Sequence, residues 1–343
     1  MSDSQGLVLS TPQTGLVDRV RTVLARRTEG RALALLVVVS IVAWWTEPVA
    51  FTSWSVTFGR VALIGLVALG LTVVILMGEL DLSVASTLAV CGVVMASVDN
   101  LPLGILAALA VGVIIGAANA FFVVVVGINS FIATLGMLFF LRGLAFVISD
   151  EKPVRLGNVD AGISFGKPLI GDLTPRMLIF IAVFIAIQVL VTRVRVGREL
   201  YAVGGNREAA HDAGIPVARR IFMGFMISGL VAAGAGVINT LERTAADPTA
   251  GSTVLLQSFA AAIIGGILLT GGRGSVVGTL LGAASLGILQ VALTLSGVQV
   301  DVQNIIIGLV LLNAVITDPN SLRSVIGSAR SFLVARSAVE RGG

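Results

Sequence analysis

Two carboxylates interrupt one of the most apolar stretches of this chain. Glu79 and Asp81, with Ser83 beside them, stand in Gly78-Glu-Leu-Asp-Leu-Ser-Val-Ala-Ser86, between an apolar run from about Phe58 to Met77 and another from about Leu82 to Val98. Acidic groups so placed have two physical uses. They can border a polar path through an apolar layer, or its gate. Alternatively, Asp81 and Ser83 can cap a helix that starts near Leu82, with Glu79 near its positive end, because a cap side chain accepts from the unpaired N–H groups of the first turn. An unpaired charge at a bilayer centre costs about 2.5 to 3.5 kcal/mol on insertion scales, which favours a locally satisfied role. The two uses are compatible.

A second polar feature is Gly197-Arg-Glu-Leu-Tyr-Ala-Val-Gly-Gly-Asn-Arg-Glu-Ala-Ala-His-Asp-Ala-Gly-Ile-Pro216. Within it the sequence predicts a short isolated helix of about two turns. Asn206 is a suitable N-cap, Glu208 lies in the first turn where an anion is favoured, Gly214 suits the left-handed position after the helix, and Pro216 blocks continuation. Such a helix is marginal alone in water, so something must pack against it. Ala209, Ala210 and Ala213 give a small apolar face. Arg207 with His211, and Glu208 with Asp212, give charged flanks. A small face rimmed by both charges suits docking into a groove of another protein; packing on its own subunit is the plainer use.

The elements that position these features are membrane helices. Of 343 residues 56% are hydrophobic and 12% charged, with a mean hydropathy of +1.01, far from the roughly 25% charge of soluble domains. Apolar stretches long enough to cross a hydrocarbon core of about 30 Å follow one another with short joints. The expected class is all-α and polytopic, with about ten spans: 32–50, 58–77, 82–98, 103–126, 131–149, 176–193, 217–239, 254–270, 275–296 and 302–317. Residues 1–31 read as a retained cytoplasmic segment, 32–318 as the transmembrane domain with a cytoplasmic loop at about 194–216, and 319–343 as a cytoplasmic tail. Basic residues gather at the N-terminus, over 193–220 and in the C-terminal tail. With both termini inside, all three blocks fall on the cytoplasmic face, as the positive-inside rule requires. The 150–175 loop, balanced in charge, then lies outside. Glycines at small-xxx-small spacing, as at Gly112 and Gly116, at Gly278 and Gly282, and at Ala283 and Gly287, predict close helix packing in lipid.

Several chemistries are excluded. One cysteine, Cys91, and one histidine, His211, leave no disulfide framework and no His- or Cys-based metal site within one chain. Gly265-Gly-Ile-Leu-Leu-Thr-Gly-Gly-Arg-Gly274 lacks the lysine and hydroxyl of a phosphate-binding loop, so the chain is not expected to bind ATP itself. No catalytic constellation is visible. Nucleic-acid binding would need a folded soluble basic face. A proton- or sodium-coupled carrier more often shows buried acids at mid-membrane, whereas only Arg142 lies well inside a predicted span, with Arg60, Glu79 and Asp81 near span ends; it more often pairs with a helix-end carbonyl or carboxylate than with a solute. The amides Asn119, Asn129, Asn239, Gln257, Gln290, Gln303 and Asn304 match hydroxyl groups as donors and acceptors and are candidates for lining a path, though most buried amides join helices. The alternative function class is a stand-alone secondary carrier or channel for a small polar solute.

Three motifs together resemble the permease subunit of bacterial ABC importers of the ribose and xylose type. They are Glu79-Leu-Asp-Leu-Ser-Val-Ala-Ser86; Asn129-Ser-Phe-Ile-Ala-Thr-Leu-Gly136; and the set formed by Gly197, Tyr201-Ala-Val-Gly-Gly-Asn206, Ala209-Ala210 and Gly214-Ile215 with Pro248-Thr-Ala-Gly251 and Gly265 to Gly274. The match runs over about 55–318. The resemblance implies a multi-pass protein of the bacterial inner membrane with no cofactor of its own. Its implied partners are a cytoplasmic ABC ATPase that holds ATP and Mg, an extracytoplasmic solute-binding protein and a second permease copy, in membrane lipid. It makes Asn206, Arg207, Glu208, Ala209, Ala210, Ala213 and Gly214 the helix that couples to the ATPase. Glu79, Asp81, Ser83, Asn129, Gln257 and Asn304 are the candidates for path or gate. Leu255-Leu-Gln257 stands where many relatives carry an acidic run, so the expected solute is a monosaccharide, a polyol or another small polar molecule.

Overall fold

The computed structural model describes residues 28–169, 171 and 173–316. The N-terminal arginines before Thr28, the tail arginines, Asp172 and the end of the last expected span lie outside the described residues.

Ten helices answer to the ten expected spans. Seven are long and apolar enough to cross a membrane: α1 (Thr28–Thr46), α3 (Trp54–Leu76), α5 (Leu101–Val124), α6 (Ser130–Ser149), α8 (Pro175–Arg193), α11 (Val217–Arg243) and α13 (Val276–Leu295). Three are shorter: α4 (Val84–Ala96), α12 (Ser252–Ile264) and α14 (Val300–Ile316). At 13 residues each, α4 and α12 reach only about 20 Å, less than the hydrocarbon thickness. Both differ from the 82–98 and 254–270 expected. The chain approaches α4 unwound and leaves α12 into glycines, where hydropathy alone sees one continuous apolar run. Between the spans lie α2 (Val49–Thr52), α7 (Val159–Phe165), α9 (Arg195–Gly205) and α10 (Arg207–Asp212).

The bundle is organised around α3. Of its most apolar 18 residues 94% are buried, against 17% for α6. Helices α11, α12 and α13 pack directly on α3, α11 also carries α4 and α5, and α1 lies on α13. Outer helices turn large apolar side chains outward, such as Trp45 and Val147, as a lipid-facing surface requires. Small residues let the inner helices touch: a Cβ on Gly112 or Gly116 would collide with the α11 backbone at Gly229 or Phe225, and one on Gly278 or Gly282 with α12 at Gly265 or Ala261. The expected small-xxx-small contacts are these.

The two ends of the bundle differ. One end gathers Glu47, whose Oε1 accepts from Ser296 Oγ at 3.0 Å, the ion pair of Arg176 with Glu242, and a two-stranded antiparallel pairing of β1 (Val154–Arg155) with β2 (Ala245–Ala246). The other gathers α9, α10 and the helix breaks after α3 and α12. Here α9 is an amphipathic helix that burial of Gly197, Leu200 and Val203 docks on α8 and α11. It directly precedes the short helix that the sequence predicts as isolated. Glu199 on α9 takes Arg195 Nε at 2.7 Å and also pairs with Arg220 of α11. The Arg220 guanidinium, and then that of Arg195, hold its carboxyl below the ordinary carboxylate range.

Candidate functional site

Helix α3 stops at Leu76, and Gly78 turns the chain with a φ of +76°, a conformation that a side chain disfavours. Residues 79–82 then run without helical hydrogen bonds, which leaves polar backbone inside an apolar bundle. Helix α6 supplies what is missing. Leu80 N donates to Ser130 Oγ and Leu82 N to Thr134 Oγ1, each at 3.1 Å, and Thr134 Oγ1 also reaches Leu80 O at 3.3 Å. Asn129 caps α6, its Oδ1 accepting from Phe131 N at 3.0 Å. The Asn129-Ser-Phe-Ile-Ala-Thr motif therefore stitches the unwound segment to a neighbouring helix. Ser130 and Thr134 were not singled out from the sequence, although two hydroxyls at i, i+4 behind an N-cap carry the signal.

Asp81 is 1% exposed and its carboxylate is richly solvated by protein. Oδ1 accepts from Ser83 N at 3.1 Å and Ser83 Oγ at 2.6 Å, and Oδ2 from Ser228 Oγ, near the middle of α11, at 2.9 Å. Asn119 Nδ2 of α5 donates to Ser83 Oγ at 2.7 Å and reaches Asp81 at 3.4 Å. Asp81 closes a local turn on Ser83 rather than capping the first turn of α4 as expected, and the same carboxylate ties α5 and α11 to the start of α4. Ser83 is the residue before α4 and its hydroxyl makes no capping bond to that helix; it serves the cluster instead.

Glu79 has a different partner. Its side chain is 5% exposed and pairs with Arg207, the first residue of α10, which is 49% exposed. The gate candidate and the coupling candidate are thus bonded to each other. Arg207 consequently serves Glu79 rather than His211, whose Nδ1 lies 3.6 Å from Asp212. A cleft of about 740 Å³ opens here, lined by Glu79, Asn129, Asn206, Arg207 and Thr270 among others.

Helix α10 has the ends the sequence predicts. Asn206 Oδ1 accepts from Ala209 N at 3.0 Å, and Gly214, at a φ of +77°, follows the last turn with Ile215 N reaching back to Ala210 O at 3.0 Å. Its face divides differently. Ala210 is 4% exposed and packs into its own chain, whereas Glu208, Ala209, His211, Asp212, Ala213 and Gly214 are exposed.

Behind α10, three backbone segments meet on glycine. A Cβ on Gly204 would strike Leu76 O and Gly272 N, one on Gly271 would strike Gly78, and one on Gly272 would strike Gly205. Gly272 N donates to Leu76 O at 3.0 Å, and Tyr201 Oη donates to Gly274 O at 2.9 Å. The Gly265–Gly274 run, which the sequence excluded as a phosphate loop, joins the break after α12 to the break after α3 and to the end of α9.

The remaining candidates lie elsewhere. Gln257, 1% exposed, and Gln290 accept from Arg60 at 3.4 and 2.5 Å. Arg60, expected near a span end, is partly buried in the second turn of α3, which begins as early as Trp54. Asn304 is partly buried on α14, which packs on α12. Arg142 donates to the carbonyls of Pro248 and Ala250 at 2.5 and 3.0 Å; these are carbonyls of the turn between β2 and α12 rather than the helix-end carbonyl expected. Gln303 joins α14 to Val298 and Thr294.

A multi-pass helical bundle with polar, unwound backbone held inside it, and with a short capped helix bonded to that backbone at one end, defines a membrane permease. The chain belongs to the family described as branched-chain amino acid transport system / permease component, whose model matches residues 55–315. It is similar to the ribose import permease protein RbsC of Escherichia coli, with 38% identity over 83% of this chain and 92% of that protein. It is also similar to the D-allose transport system permease protein AlsC of Escherichia coli, at 33% over 84% and 90%, and to the L-arabinose transport system permease protein AraH, at 35% over 75% and 80%. No solved structure matches the chain.

Proposed function

We propose that this chain is the transmembrane permease subunit of an ATP-driven ABC importer for a monosaccharide or a related small polar solute. It forms the translocation path, and ATP with Mg is bound and hydrolysed on a separate cytoplasmic ATPase. The names of the ribose, allose and arabinose relatives support the solute class. The end that carries α9 and α10 faces the cytoplasm, with both termini, and the opposite end meets an extracytoplasmic solute-binding protein. A second copy of the chain completes the permease in the inner membrane.

The observation that carries this reading is the placement of α10. Its exposed face is free to enter a groove on another protein, while Ala210 and Arg207 hold it to the bundle, Arg207 through Glu79 of the break. A push on α10 therefore reaches the unwound segment through one ion pair. Glu79 is the path-side end of that link, and Asp81 and Ser83 fix the segment it moves.

The test is uptake into liposomes that hold the chain with and without its ATPase. Solute entry that requires both the ATPase and ATP is expected, and entry by the chain alone would establish a stand-alone carrier instead. Ala209→Trp, on the exposed face, should abolish coupled uptake while the protein still inserts; undiminished ATP-driven uptake by this variant would remove α10 from the coupling route.

A further inference from the structure

A second polar constellation lies toward the other end of the bundle, around Arg60 of α3. Its Nε donates to Gln290 Oε1 of α13 at 2.5 Å, and its Nη2 to Gln257 Oε1 of α12 at 3.4 Å. Both acceptors are neutral. Among the described residues no carboxylate pairs with Arg60, and the charge that acts on it is Arg243, of the same sign. Arg243, exposed at the end of α11, has among the described residues the neutral Asn239 Oδ1 as its acceptor, at 3.2 Å. Gln257 is 1% exposed, and its buried Nε2 has no hydrogen-bond partner among the described residues.

This arrangement is short of one negative charge and one acceptor. A guanidinium does not deprotonate in proteins, and even the partial burial of Arg60 without a counter-ion carries a penalty. If the task were only to join α3, α12 and α13, neutral amides at all three positions would do it without that penalty. The donors on offer are the guanidinium fork of Arg60, the free Nε2 of Gln257 and the guanidinium of Arg243, exposed at the end of α11. A carboxylate matches them: its two oxygens suit the fork and keep lone pairs for the amide N–H. Lipid headgroups are kept away by the central position of α3 and the burial of Gln257 and Gln290.

We infer that Arg60 and Gln257, with the exposed Arg243 beside them, bind the carboxylate of a small hydroxylated acid, so that the solute is a sugar acid rather than a neutral sugar. Gln290 is the positioning residue that holds the fork. This rests on the transport reading above and narrows its solute.

The experiment uses the importer assembled in liposomes from this chain, its ATPase and its solute-binding protein. Probes are paired by shape: D-glucuronate with D-glucose, D-galacturonate with D-galactose, and D-gluconate with D-glucitol. ATP-driven uptake of at least one acid, in preference to its neutral partner, is expected. Arg60→Gln should lower that uptake by at least about tenfold, the loss of one charge-assisted hydrogen bond, and Arg60→Lys should lower it less. Gln257→Glu places a carboxylate beside Arg60 within the protein and should also abolish acid uptake. Stimulation of ATP hydrolysis by the binding protein, followed in the same liposomes, reports assembly for every variant. Preference for a neutral partner, uptake of none of the six, or acid uptake unchanged in both Arg60→Gln and Gln257→Glu would overturn the inference. If ATP hydrolysis is stimulated in those cases, the importer reading stands and the acid assignment alone falls; if no ATPase associates with the chain, both fall.

Discussion

The ion pair of Glu79 with Arg207 predicts an asymmetric response to mutation. Glu79 is 5% exposed and Arg207 49% exposed, so deleting one partner is not equivalent to deleting the other. Arg207→Gln leaves a carboxylate enclosed among Leu80, the α3 end and the glycine junction with no cation. Breaking a fully buried pair in this way costs about 3 to 5 kcal/mol, while exposed pairs are worth about 0.2 to 1 kcal/mol. Because water reaches half of the arginine, the expected loss lies between these limits, at about 2 kcal/mol. Glu79→Gln leaves an arginine that can turn into water, and the expected loss is about 0.5 to 1 kcal/mol. The double variant removes the stranded charge and should be more stable than Arg207→Gln alone, with a coupling of about 1 kcal/mol or more. Equilibrium unfolding in mild detergent, with ATP-driven uptake followed in parallel, measures the cycle. Equal single losses, or losses that simply add, would refute the claim that Glu79 depends on Arg207 for its charge. Uptake that falls in both single variants and recovers with the reversed pair, Glu79→Arg with Arg207→Glu, would show that the link transmits force as well as stability.

Other consequences follow from the same geometry. Asp81→Ala takes the acceptor from Ser83 N and from the Ser83 and Ser228 hydroxyls, and should destabilise the protein by about 3 kcal/mol in the same unfolding assay, whereas Asp81→Asn should retain part of that stability. Gly229→Leu cannot fit between α11 and the α5 backbone at Gly112, and should lower the yield of folded protein in detergent without acting on any polar group. Glu199 is held below its ordinary range by Arg220 and Arg195, so its contribution is complete above the unfolded value of about 4.3 and is lost as pH falls through the lower folded value. Wild type and Glu199→Gln should therefore differ in stability near neutral pH and converge in strong acid. A difference that persists unchanged below about pH 2 would assign the loss to packing rather than to charge.

Much of this protein is legible in one dimension. Runs of apolar residues long enough to span a bilayer fix the number and order of helices, because lipid leaves the backbone no alternative to satisfying itself. Asn206 and Gly214 fix the ends of α10, since cap chemistry is local. The spacing of Gly112 and Gly116, and of Gly278 and Gly282, announces close contacts. Only the tertiary structure decides which elements those features meet. The shortness of α4 and α12 is invisible to hydropathy, because apolar residues such as Leu82 and Val98, or Ile267, Leu268 and Leu269, continue past the helix ends. Amphipathic α9 is hard to read from sequence because its glycines, Gly197, Gly204 and Gly205, suggest a loop, until the close backbone approaches at Gly197 and Gly204 are seen. The sequence places Glu79 and Arg207 far apart and assigns them separate tasks; packing makes them partners. Likewise Arg60, Gln257 and Gln290 lie on three helices, and their shortage of negative charge exists only where those helices converge. Local chemistry is written in neighbouring residues, but the balance of charge inside a bundle is a property of what folding brings together.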